Sequence, residues 1–267
     1  MSRFKSKRAG ATFVSVIVSF VTSMSAAADN SPNACMNDAM FVFDASGSMG
    51  TTDYTRKLPH ITRVKQALAQ VLPEVPAERR MGLIVYGQGA YNRCDSVELK
   101  LRPQTNSGPT IMAEVEKIVP AGRTPLTQSV QDAADVLEYR SKPAVVILMT
   151  DGEDTCGGKP CNLALQMKKD AKDLTVHVIG YRMKEAAGLN GFFEARCLAE
   201  QTGGIYVTVE TTEQLVEALR KTLTCPFSSQ LAPPKSKTNL AFASPAMISQ
   251  CFATRLTTTT DRKSCVR

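Results

Sequence analysis

Ala144 to Met149 reads AVVILM, six aliphatic residues with no polar phase. A run of that length without alternation suits a strand covered on both faces. Further strand-like runs occupy Ala39 to Phe43, Met81 to Tyr86, Val97 to Leu101, Thr175 to Tyr181 and Ile205 to Val209. Helical periodicity fills the gaps at Ile61 to Leu72, Thr110 to Val119, Leu126 to Arg140, Asn162 to Asp173, Gly191 to Gln201 and Thr212 to Leu223. Strands alternating with helices predict an α/β fold, a mostly parallel six-stranded sheet doubly wound with helices on both faces. The span is ample for one substantial core.

Ligands of such sheets bind beyond the carboxyl ends of the strands, where the strand order reverses. Two strands deliver aspartates there: Asp44 follows AMFVF, and Asp151 follows VVILMT. Asp44 begins an Asp-x-Ser-x-Ser triplet with Ser46 and Ser48, and Thr124 sits in GRTPL before a helical pattern. Hydroxyls and carboxylates, with no imidazole or thiolate among them, suit a hard divalent cation. Two carboxylates with three hydroxyls favour Mg2+, with Mn2+ or Ca2+ as alternatives. Such a cation keeps a position open, and its natural occupant is a carboxylate from a protein ligand.

The segments DASGSM, GRTPL and MTDGEDT resemble the metal-ion-dependent adhesion site of the von Willebrand factor A domain family, over roughly residues 38 to 225. The resemblance implies the Rossmann-like fold of that family, metal binding through the hydroxyls of Ser46, Ser48 and Thr124, and direct or water-mediated binding by Asp44 and Asp151. It implies adhesion or scaffolding, not catalysis. The alternative is a Mg2+-dependent phosphatase or phosphotransferase, because an aspartate above a metal can act as a nucleophile. Ser46 stands where such an enzyme usually carries a second acid.

Each motif also has a plainer reading. DASGSM alone is a turn with capping serines, and Glu153 and Asp154 read as solvated loop charges. His60, at a helix start, and His177, inside a strand, read as packed or capping residues. GQGAYN reads as a turn, since it lacks the third glycine of a dinucleotide fingerprint. No phosphate loop or G-x-S-x-G elbow occurs.

The first residues bound the compartment. MSRFKSKRAG is basic, ATFVSVIVSFV is a short apolar run, and SMSAAADN supplies small residues, the pattern of a signal peptide over residues 1–28 cut after Ala28. An uncleaved anchor is the competing reading. The chain is therefore expected in the periplasm or outside the cell, with no transmembrane segment after cleavage. All eight cysteines follow the expected cut, which suits disulfides. Cys35 and Cys225 bracket the domain expected over residues 35–225 and are expected to clasp it, stabilising by roughly 5 kcal/mol in the chain-entropy model. Cys156 is expected to pair with Cys161, leaving Cys94 for Cys197. Cys251 and Cys265 pair with each other or with another chain. Zinc at Cys156 and Cys161 would need a second ligand pair.

Residues 226–267 begin with a Pro-containing linker, SSQLAPPKSKTN, and end in a basic tail that is either a docking segment or a disordered end. Of 32 basic and 25 acidic residues, the first 28 positions hold four and none, and the last 42 hold six and one. The intervening 22 against 24 leave the core near neutral. With no basic face and no tryptophan, nothing points to nucleic acid.

Overall fold

The apolar runs fold into β1 (Ala39–Asp44), β2 (Met81–Tyr86), β3 (Val97–Gln104), β4 (Pro143–Thr150), β5 (Asp173–Tyr181) and β6 (Tyr206–Val209). Among the described residues the α-helices between and after them are α1 (His60–Val71), α2 (Gly108–Glu116), α3 (Leu126–Val136), α4 (Pro160–Asp170), α5 (Gly191–Thr202) and α6 (Thr212–Leu223). This computed structural model describes residues 36–52, 57–183 and 191–224. The expected signal peptide, Cys35, Cys225, Cys251, Cys265 and the tail lie outside the described residues.

The strands form one sheet in the order β3-β2-β1-β4-β5-β6. Only β3 runs antiparallel, against β2, with register shifts between Met81 and Ile84. The central strands are apolar in both phases because each face is covered. Ala39, Phe41 and Phe43 of β1 join Val145, Ile147 and Met149 of β4 in a core under α1, α2 and α6. Met40 and Val42 join Ala144, Val146 and Leu148 in a second core under α3, α4 and α5. Burial on that scale is the main favourable term in folding, at about 25 cal/mol for each Å2 of apolar surface removed from water. At one edge, β3 mixes Glu98, Lys100 and Arg102 into the strand, charges that discourage pairing with another chain.

Local chemistry moves several helix ends. Pro160 opens α4 because its missing N–H and fixed φ suit the first helical position. The α3 pattern extends to Arg140, but the helix ends at Val136, and Glu138 adopts φ 55°. Thr211 and Gln214 form a capping box at the start of α6. At its other end the buried Arg79 donates from Nη1 to the carbonyls of Thr222 (3.0 Å) and Leu223. A cation there complements the helix's negative end. Burial lowers the guanidinium to about 10.

Candidate metal centre

The order reverses between β1 and β4, which are parallel neighbours. Their carboxyl ends therefore bring Asp44 and Asp151 to one crevice, both 0% exposed. Beside them the chain packs too closely for side chains. Gly87, with φ +84°, follows β2, and a Cβ there would stand 2.5 Å from the Ser46 nitrogen. Only glycine fits both that conformation and that approach.

Backbone bonds carry the third segment to the same place. Ala121 donates to Ala45 O (3.2 Å), Gly47 to Gly122 O (2.9 Å) and Gly122 to Gly87 O (2.6 Å). Thr124 is buried two residues further on. It is held by an exchange with Thr155: its N–H donates to Thr155 Oγ1 (2.8 Å), and Thr155 N–H donates to Thr124 O (3.0 Å).

Hydrogen bonds link the other four, through the Ser46 backbone N–H at Asp44 and through side-chain oxygens from Ser46 to Asp151. Asp44 Oδ1 accepts from Ser46 N–H (2.8 Å), and Oδ2 accepts from Thr150 Oγ1 (2.7 Å). The Ser46 and Ser48 hydroxyls lie 3.0 Å apart, and Ser48 Oγ donates to Asp151 Oδ1 (2.6 Å). With its proton spent on Asp151, Ser48 must receive the Ser46 proton in the absence of a cation. His60 Nδ1 lies 3.0 Å from Asp151 Oδ2.

Burial, reinforced by the charge of Asp151, raises the Asp44 carboxyl to about 6. Burial and the same aspartates push the Tyr86 phenol well above its ordinary value. Two buried carboxylates with hydroxyl oxygens beside them are a donor set that a hard divalent cation fits, since it supplies the positive charge they face. Among the described residues no group of three or more His, Cys, Asp or Glu forms a metal cluster, so hydroxyls are needed to complete any site here.

Three readings change. Asp154 is not a solvated charge: Oδ2 accepts from Thr127 N–H (2.8 Å) in the first turn of α3, and Oδ1 accepts from the N–H groups of Cys156 (2.8 Å) and Gly158 (3.0 Å). An acceptor that Pro125, at the helix start, cannot supply is thus lent by another loop. His60 packs edge-on against Tyr181 (centroids 5.5 Å apart), yet its ring nitrogen reaches the site carboxylate. The expected Cys156–Cys161 and Cys94–Cys197 pairs are replaced by Cys94–Cys156 and Cys161–Cys197, with Cα separations of 5.7 and 5.0 Å. Cys156 lies on the rim loop facing the β2–β3 loop, whereas Cys161 is already on α4, with Sγ 3.7 Å from the Glu194 carbonyl of α5. His177 keeps its capping role: Nδ1 accepts from Ile205 N–H (3.0 Å).

Fold and site together are those of an α/β domain with a doubly wound sheet and acidic residues at the carboxyl ends of β1 and β4. Residues 39–153 match the family model described as von Willebrand factor type A domain, which supports the resemblance carried by the motifs. The chain is 27% identical over 187 residues to the uncharacterized protein YwmC of Bacillus subtilis, covering 65% of this chain and 77% of that protein. It is 26% identical over 190 residues to YwmD of the same organism, covering 67% and 82%. Among solved structures, a von Willebrand factor type A protein from Catenulispora acidiphila superposes with TM-score 0.54 at 19% identity, over 70% of this chain and 42% of that one. Proximal thread matrix protein 1 from the mussel byssus, with a zinc-occupied MIDAS motif, gives 0.51 at 18% identity, over 71% and 46%. At those identities the likeness shows the fold, and this chain spans less than half of either solved chain.

Proposed function

We propose that this chain is an exported, non-catalytic binding protein that uses one divalent cation to grip a carboxylate on a protein ligand. Asp44, Ser46, Ser48, Thr124 and Asp151 would hold the cation, Mg2+ by donor chemistry, with Mn2+ or Ca2+ as substitutes. The observation that carries this reading is the run of hydrogen bonds from Asp44 through the Ser46 N–H, and from the Ser46 hydroxyl through Ser48 to Asp151, which joins two carboxylates with no exposure. A cation relieves their repulsion and retains an outward position for an acidic group. The disulfides Cys94–Cys156 and Cys161–Cys197 support an oxidising compartment. Among the described residues no helix is long and apolar enough to cross a membrane.

The engagement of Asp44 favours binding over phosphotransfer. Both of its oxygens accept hydrogen bonds and neither is exposed, which is poor placement for a nucleophile. Capture of partners from an envelope or culture-fluid extract, in Mg2+ and in EDTA, tests the proposal, with Thr124→Ala beside the parent. Partners should bind the parent only in Mg2+, and Thr124→Ala should lose them while retaining the cation. Equal capture in all four conditions would contradict the proposal, as would Mg2+-dependent phosphatase turnover by the purified protein.

A further inference from the structure

We infer that His60 is a positioning residue for the cation site, acting through Asp151 and Ser48; the inference rests on the metal-dependent reading above. The geometry divides the two oxygens of Asp151 between two donors. Oδ2 faces His60 Nδ1 at 3.0 Å, and Oδ1 takes the Ser48 hydroxyl proton at 2.6 Å. A carboxylate only accepts, so the Nδ1 proton belongs to His60. That donation fixes the rotation of the carboxylate about its Cβ–Cγ bond. The second oxygen is thereby aimed at Ser48, whose proton is drawn toward Asp151 and whose lone pairs are left for a cation.

The imidazole is itself held from several directions. His60 is the first residue of α1, and its N–H donates to Thr51 O at 3.0 Å, while an isolated bridge joins Thr52 to Pro59. Its ring packs edge-on against Tyr181 and is 4% exposed. Nε2 is buried with no hydrogen-bond partner among the described residues. A polar ring placed there for packing alone would leave a cost that a phenyl ring avoids. The contact that justifies an imidazole is the one to Asp151. Outer partners of this kind orient ligands, and their loss typically lowers metal affinity about 10- to 100-fold.

The test compares His60→Leu with His60→Asn, whose side-chain amide can place N–H where Nδ1–H stands. Mg2+ and Mn2+ affinities are measured by calorimetry on the purified parent and both variants, alongside thermal melts in EDTA. His60→Leu should bind either cation about 10- to 100-fold more weakly, and His60→Asn should recover most of the parent's affinity. Parent-like affinity in His60→Leu overturns the inference while leaving the metal site standing. Equal weakening in both variants also overturns it, because only packing would then be at stake. A parent that binds neither cation overturns the functional reading itself, a different result from either. If His60→Leu fails to fold, the recovery or loss of affinity in His60→Asn decides.

Discussion

Asp44→Asn should make the cation-free protein more stable while abolishing its response to Mg2+. The substitution removes a buried charge but leaves the hydrogen bonds a solution. The carbonyl of the introduced amide can accept from Ser46 N–H, and its NH2 group can donate to Thr150 Oγ1, freeing that hydroxyl to donate to Gly152 O, already 3.0 Å away. In the parent, burial and Asp151 raise the Asp44 carboxyl from 3.8 to about 6. Between those values the folded state binds more protons than the unfolded state. Stability is therefore fully present below 3.8, falls as pH rises, and is lost above about 6. A shift of about two units corresponds to roughly 3 kcal/mol, or roughly 6–12 °C for a domain of this size. Melts followed by circular dichroism in EDTA should place Asp44→Asn above the parent at pH 7.5, with the gap closing toward pH 4. Added Mg2+ should raise the parent alone. A variant that melts lower at pH 7.5, or a gap independent of pH, would refute the electrostatic reasoning.

Two other outcomes follow from the same structure. Burial, with Arg79 second, lowers His177 to about 4 from 6.5, so its share of stability is present above 6.5 and is lost as pH falls through about 4; His177→Asn, which can still accept from Ile205 N–H, should lessen the acid loss in urea midpoints between pH 7 and 4.5 by up to roughly 3 kcal/mol, and an unchanged slope would count against it. Cys94→Ser with Cys156→Ser opens a 62-residue separation, so unfolding free energy should fall by roughly 2–4 kcal/mol; the rim loop carrying Thr155, which holds Thr124, should loosen with it and lower partner capture in Mg2+, whereas parent-like capture would show that the tether does not support Thr124.

What the sequence revealed depended on how local the signal was. AVVILM and AMFVF became central strands because apolar residues in both phases have only one economical home, between two helical layers. Asp44 and Asp151 were legible for the same reason: each follows such a strand, and neighbouring parallel strands present their carboxyl ends together. The antiparallel setting of β3 was not legible, because an edge strand shows alternation in either direction. His60 lies 91 residues from Asp151 and carries no periodic signal that distinguishes it from a packed histidine. Asp154 looked like any loop acid because the N–H it serves, on Thr127, comes from another segment. Spacing favoured the local Cys156–Cys161 bridge, but cysteine connectivity follows the meeting of loops and helices in space.

If Asp44, Ser46, Ser48, Thr124 and Asp151 make one divalent-cation site, a Mg2+ titration by calorimetry on the parent, Asp44→Ala and Asp151→Ala will show it. The parent should bind at a single site and neither variant should bind, with circular dichroism spectra of both that match the parent's. A parent without affinity for Mg2+, Mn2+ or Ca2+, or variants that bind as the parent does, would contradict it.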